Sequence, residues 1–160
     1  MGDELDTVDQ GVLFFLQQDA RNMTAQEMAN KLDVSASTIR NRIEQLEESE
    51  VLEGYRPLIN YGNINHLHRL FFVISASPTE QDEIAEDLLN IQGVISVREV
   101  LTSQQNIFVE AVAGNNNHVT RITDRLHELG VNIDRAELVK QRRIQPLALF
   151  SEALGATDKN

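Results

Sequence analysis

The residues Thr24 to Glu48, TAQEMANKLDVSASTIRNRIEQLEE, constrain this chain more than any other stretch. Thr24 and Glu27 have the T-x-x-E spacing of a capping box, in which each side chain satisfies a free amide at a helix start. Met28, Ala29 and Leu32 give the helix that follows an apolar face. Asp33-Val34-Ser35 breaks the periodicity, and Ser35 is the residue type that accepts from the first free amides of a new helix. Ile39, Ile43 and Leu46 then recur on one helical face. The pattern predicts two short helices joined by a tight turn, the second pinned to a core by its isoleucines.

The outward side of that second helix carries Ser37, Thr38, Asn41 and Gln45, with Arg40 and Arg42 beside them. At about 100° per residue these fall roughly opposite the isoleucines. Short hydrogen-bonding side chains between guanidiniums suit a DNA major groove, where amides and hydroxyls reach base edges and arginines reach phosphates or guanine. An amphipathic helical hairpin with a merely solvated face has the same pattern, so the remainder of the chain must decide. If the helix reads DNA, Asn41→Ala and Arg42→Ala are each expected to abolish operator binding and leave self-association intact.

Charge complicates the groove reading. The 160 residues carry a net charge of −11, whereas nucleic-acid binders usually show a basic footprint. Division near Ile64 leaves both parts acidic, at −7 and −4. Either the helix pair never meets DNA, or the acidity is a whole-surface adaptation to a very salty cytoplasm with basic groups retained locally. The scarcity of lysine (Lys31, Lys140 and Lys159) fits the second, and a halophilic archaeon is the expected source. The absence of cysteine excludes disulfides and thiolate chemistry. No apolar run approaches the roughly 20 residues that cross a bilayer, and the acidic N-terminus MGDELDTVDQ lacks the features of a secretory signal. A cytoplasmic location without membrane association is expected.

Taken in order, Leu5 to Gln17 has helical periodicity, with Leu5, Val8, Val12, Phe15 and Leu16 on one stripe, and Asp6 near its positive end. Three helices sharing an apolar centre follow from this and the pair above. Val51 to Asn60 holds Gly54 and Pro57 between apolar residues and is expected to form a small hairpin, the wing of a winged helix, with Arg56 near its tip for a phosphate. Asn60 to His68, NYGNINHLH, reads as a linker.

Beyond it the pattern alternates. Leu70 to Ala76 is a strand. Ser77-Pro78-Thr79-Glu80 reads as a second capping box. Ile84, Leu88 and Ile91 line a helix ended by Gly93. Val94 to Thr102 and Ile107 to Ala113 are strands joined by a short loop. Val119, Ile122, Leu126 and Leu129 line another helix, and Ile133 to Ile144 is a last strand. Strand, helix, strand, strand, helix, strand is the ferredoxin-like split βαβ unit, so the fold class is α+β. Its sheet has helices on one face. The other face, with candidates among Phe71, Val73, Val97, Val109 and Ala111, needs a cover, and a second copy of the sheet is the simplest one. The expected organisation is a winged helix-turn-helix over 1–59, a linker over 60–68, a ferredoxin-like domain over 69–150 and a fraying tail over 151–160.

This order resembles the Lrp/AsnC, or feast/famine, transcription regulators. The likeness runs from Leu5 to about Phe150 and is carried by LDxxD at Leu5 to Asp9, LxxDxR at Leu16 to Arg21, S-x-x-T-I-R-x-R-I-x-x-L-E at Ser35 to Glu47, and Glu53-Gly54-Tyr55. The resemblance implies double-stranded DNA as partner, through Thr24, Ser35, Ser37, Thr38, Arg40, Asn41, Arg42, Gln45 and Arg56. It also implies a RAM/ACT-like second domain that dimerises through its sheet, octamers built from those dimers, and an amino acid or other small metabolite as effector. The family's T-G-x-x-D hairpin pattern matches Thr102, Ser103 and Asn106 here, with both Gly and Asp replaced. Loss of that carboxylate removes the natural partner of an ammonium group.

Other chemistries fare worse. His66 and His68 form an H-x-H pair, and His118 and His127 lie on the last helix, but no carboxylate stands near enough in sequence to complete a metal site. Glu99 and Glu110, on adjacent strands, could be imagined as an acid–base pair; alternation with Val97 and Val109 makes them solvent-facing strand residues. No G-x-S-x-G, P-loop or dinucleotide fingerprint is present, so no catalytic residue and no cofactor is expected. Two alternatives stay open: an architectural DNA binder with little sequence preference, and a tetrapyrrole decarboxylase-like enzyme on the same fold, for which only His66, His68 and Arg69 would be at hand.

Overall fold

The structure, a computed structural model, describes residues 4–101, 104–152 and 154. The chain divides into two compact units, one formed by the described residues of Met1–Pro57 together with those of Arg143–Asn160, the other by Leu58–Arg142.

The first unit begins with three helices, α1 (Thr7–Asp19), α2 (Ala25–Leu32) and α3 (Ala36–Glu48). Each starts where the sequence places a short polar side chain. Asp6 caps α1 by accepting from Val8 and Asp9 N–H, Thr24 caps α2 reciprocally with Glu27, and Ser35 caps α3 by accepting from Thr38 N–H. Between α2 and α3 the turn is made by Asp33 in the left-handed region at φ 55°. Val12, Leu13, Phe15, Met28, Ala29, Ile39 and Leu46 form the shared core.

The expected wing hairpin is not formed: among the described residues, 53–60 hold no strand. Instead Leu52 N–H returns to the Leu46 carbonyl at 2.9 Å, and the Tyr55 hydroxyl donates to Glu47 Oε1 at 2.9 Å, tying the chain to the end of α3. Partial burial, then this carboxylate, push the Tyr55 phenol up to about 12. Pro57, which has no N–H to give a ladder, lies in the same stretch.

The second correction concerns the far end. Residues 143–150, expected in the sheet domain, belong to the first unit, and the segment expected to fray from 151 contributes to it. A short helix α6 (Leu149–Glu152) follows a bond from Leu147 N–H to Gln17 Oε1 at 3.2 Å. Phe150 and Leu154 pack against the three-helix core. Buried Gly11 on α1 makes room for this, since a Cβ there would clash with Leu32 Cδ2 and meet Leu154 Cδ2 at 3.1 Å. Apolar residues scattered in a tail gave no periodic signal of this contact.

The second unit opens with a turn of 3₁₀ helix at Tyr61–Asn63 inside the expected linker. It continues as β1 (His68–Ser75), α4 (Gln81–Leu89), β2 (Val94–Glu99), β3 (Ile107–Ala113), α5 (Asn116–Glu128) and β4 (Asn132–Leu138). The sheet order is β2-β3-β1-β4 with every pair antiparallel, as the split βαβ reading requires. The last strand stops at Leu138, short of the expected Ile144. The second capping box does not form: α4 starts at Gln81, Glu80 makes no side-chain cap, and Ser77 Oγ instead meets Thr79 Oγ1 at 2.9 Å. Phe72, Ile74, Ile107, Val109, Ala111 and Ala113 face α4 and α5 in one core with Leu88, Ile122 and Leu126.

The other sheet face, which carries no helix, holds Arg69, Phe71 and Val73 beside Phe108 and Glu110 by the strand register, and Val73 is fully buried there. Phe71 and Phe108 stack with centroids 5.9 Å apart. Of the candidates for the uncovered face, Phe71 and Val73 are the set the helices leave, while Val97, Val109 and Ala111 pack under the helices.

Candidate nucleic-acid interface

The residues expected to meet DNA separate by what they touch. Thr24 and Ser35 are caps, and their hydroxyls are occupied. Thr24 Oγ1 donates to Glu27 Oε2 at 2.8 Å and accepts from Glu27 N–H at 3.2 Å. Ser35 Oγ lies 2.8 Å from both Ser37 Oγ and Thr38 Oγ1. Three hydroxyls thus cluster at the N-terminus of α3, where free amides and the helix dipole favour a phosphate oxygen.

Arg40, Asn41 and Gln45 are exposed, and their side chains have no partner among the described residues. With Ser37 they occupy one side of α3, opposite Ile39 and Leu46, which are 0% and 3% exposed. A helix clamped on one side by its apolar residues and carrying free amides and a free guanidinium on the other can be laid in a major groove. Glu44 and Glu48 share the outward side further along, so negative charge gathers toward the C-terminal end of that face. Arg56 is exposed in the extended segment after α3 and not at a hairpin tip.

Arg42 departs from the expectation. Its side chain turns to α1, where Nη2 lies 2.7 Å from Asp6 Oδ2 and Nη1 3.3 Å from Asp9 Oδ1. Asp9, 8% exposed, also accepts from Asp6 N–H at 3.1 Å. The Asp9 N–H bond to Asp6, opposed by burial and reinforced by the Arg42 guanidinium, holds the Asp6 carboxyl below the usual range. Arg42 is therefore a clasp between α3 and the capping box of α1. At about 140° from Ser37 on the helical wheel it was already near the edge of the outward face. The L-D-x-x-D motif carried the missing signal, two carboxylates at cap and third position awaiting a cation.

The hairpin residues named for effector binding divide too. Thr102 and Ser103 lie outside the described residues. Asn106 is buried at 3% exposure, and its amide is fully used. Oδ1 accepts from Ala76 N–H at 2.9 Å, while Nδ2 donates to the Ala76 carbonyl at 3.0 Å and to Gln81 Oε1 at 3.2 Å. It fastens the end of β1 to the start of α4 and has no group left for a ligand.

Among the described residues no cluster of His, Asp or Glu could hold a metal. Glu99 pairs with Ile107 and Glu110 with Ser96 across the same two strands, which puts the two carboxylates on opposite faces by strand alternation. Glu110 is not solvent-facing: it lies 3.7 Å from Arg69, each side chain about 15% exposed. No helix among the described residues is long and apolar enough to cross a membrane.

Three short capped helices with one open face on the third define the class, a helix-turn-helix DNA-binding unit joined to a ferredoxin-like domain. Residues 5–53 match the family described as "Winged helix-turn-helix DNA-binding". Over 117 residues, 73% of this chain and 78% of the relative, the sequence is 32% identical to an uncharacterised HTH-type transcriptional regulator of Pyrococcus abyssi. The fold is that of the leucine response regulatory protein LrpA of Mycobacterium tuberculosis, with a TM-score of 0.73 at 23% identity over 88% of this chain and 96% of that one. It is equally that of a Neisseria meningitidis transcriptional regulator solved with L-Met, with a TM-score of 0.72 at 21% identity over 89% and 94%. The chain belongs to the HTH-type transcriptional regulators, and its fold is also that of E. coli AsnC, with a TM-score of 0.69 at 18% identity over 91% of this chain and 98% of that one. It is a DNA-binding regulator.

Proposed function

We propose that the protein recognises particular operator sequences with the outward face of α3 between Ser37 and Gln45. Asn41 and Gln45 read base edges, Arg40 takes a phosphate or a guanine, and the hydroxyls of Ser37 and Thr38 seat the helix N-terminus on the backbone. The observation that carries this is the division of labour on α3: its caps and Arg42 are engaged within the unit, while the amide-bearing side chains are left unpartnered. Amides in that position favour reading over packaging, because bidentate Asn or Gln contacts to adenine carry sequence information that phosphate contacts lack.

The regulator acts as a homodimer closed through the bare sheet face, with octamers as a further assembly. Support comes from the stacked, partly exposed Phe71 and Phe108 on that face, which carries no helix of its own. A small metabolite biases its DNA affinity, as the L-Met bound to the Neisseria relative suggests. The charge of −11 suits a cytoplasm of high salt and a halophilic source, where counterion release adds little and base contacts must supply more of the affinity. No metal, cofactor or catalysis is needed for this role. Selection of bound sequences from random DNA at molar potassium chloride tests the reading. A short palindromic motif is expected; recovery of sequences with no shared motif would refute it.

A further inference from the structure

On α5, His118, Arg121 and Arg125 fall at i, i+3 and i+7 and line one wall of an open groove of ≈ 430 Å³. Its other wall is the end of α4 and the turn after it, with Asn90 and Gln92, and its floor is apolar, made by Ile91, Val112 and Ile122. A side chain at Gly93 would fill this floor, since a Cβ there would stand 2.9 Å from the Val112 carbonyl and 3.0 Å from Ile122 Cδ1. The φ of +104° at Gly93 also excludes most other residues.

In a chain with 25 Asp and Glu, no carboxylate among the described residues lines this groove. His118 Nδ1 accepts from Gly114 N–H at 3.2 Å, which fixes Nε2 as the ring's donor. Arg121 is exposed and has no ion-pair partner among the described residues, whereas Arg125 spends one nitrogen on Glu128. Three donors of positive or hydrogen-bonding character thus stand over a small hydrocarbon floor. An anion has partners here, and an ammonium group has no opposite charge. Asn106, just before β3, offers no carboxylate either.

Resting on the reading of this chain as a metabolite-responsive regulator, we propose that the groove binds a short-chain carboxylate without an ammonium group, such as a 2-oxo acid. The carboxylate engages Arg121 and Arg125, the 2-oxo oxygen accepts from His118 or a neighbouring amide, and the alkyl chain lies on Ile91 and Ile122. The effector is then the deaminated form of an amino acid.

The test is calorimetric titration of the full-length protein with 4-methyl-2-oxopentanoate, with L-leucine, which shares its carbon skeleton, and with inorganic phosphate. Saturable binding of the oxo acid is expected, with leucine and phosphate at least about tenfold weaker. Arg121→Gln, at an exposed position that leaves the melting curve unchanged, is expected to weaken the oxo acid about tenfold, the usual consequence of losing one charge-assisted hydrogen bond. Absence of oxo acid binding, equal binding of leucine or of phosphate, or an unchanged affinity in Arg121→Gln would each overturn the proposal. Leucine binding that Arg121→Gln does not alter would refute this site and leave the effector reading standing, while operator recognition by α3 is scored separately by DNA selection.

Discussion

Arg42→Ala separates two accounts of one side chain. On the helical pattern alone its loss removes a DNA contact. In the structure it removes the clasp between α3 and α1. The guanidinium has one contact to Asp6 at 2.7 Å, with side chains 33% and 45% exposed, and a looser one at 3.3 Å to Asp9, whose side chain is 11% exposed. The first is an exposed pair worth about 0.5 kcal/mol. The second leaves a mostly buried carboxylate with one backbone N–H from Asp6 and no cation, a loss of about 1 kcal/mol after discounting a charged hydrogen bond for its length. Together they give about 1–2 kcal/mol, which for a unit this small lowers the melting temperature by several degrees. Because the chain has two units, the transition of the helical one is followed by the loss of amide-exchange protection in α1, not by a single global melt. Arg42→Ala and Asp9→Asn are expected to be non-additive in a double-mutant cycle. DNA affinity measured well below the transition is then reduced no more than threefold. Unchanged α1 protection with a large loss of DNA affinity would refute the clasp and restore Arg42 to the interface.

Two further outcomes follow from the geometry. Asn106→Ala strips the Ala76 N–H and carbonyl of their partners inside the second unit and is expected to cost about 2–4 kcal/mol, read as a lower denaturant midpoint for the sheet. Acid should weaken the helical unit first. The Asp6 and Glu27 carboxyls are held below their ordinary values of 3.8 and 4.5, Glu27 chiefly by the Thr24 N–H. A carboxyl depressed in the folded state contributes stability that is fully present above about pH 4.5 and is lost as pH falls through the folded values. Exchange protection of α1 and α2 between pH 5 and 3 checks this.

What the sequence reveals of this molecule depends on the range of the interactions. The caps Asp6, Thr24 and Ser35, the core stripe of α3 and the sheet order are all legible because they rest on local spacing and periodicity. The docking of Phe150 and Leu154 on α1 is not, since it joins residues more than a hundred positions apart without a repeat. The wing illustrates a different failure. Gly54 and Pro57 mark a turn between apolar residues, but Tyr55 finds Glu47, and the segment leaves without a ladder. Arg42 and Asn106 are the instructive cases at the site. Residue type suggested a ligand for each, while a carboxylate pair on α1 and an unsatisfied peptide group at Ala76 claim them for the fold.

Base reading by Asn41, on the free face of α3, leaves a different trace from a simple gain in affinity. Binding of the wild type and of Asn41→Ala to the selected operator, and to all single base-pair variants of it, tests this most directly. The wild type is expected to discriminate at one position of each half-site by about 1–3 kcal/mol, and Asn41→Ala to lose that discrimination there and keep it elsewhere. Uniform weakening across all variants, or an unchanged profile, would rule out base reading by Asn41.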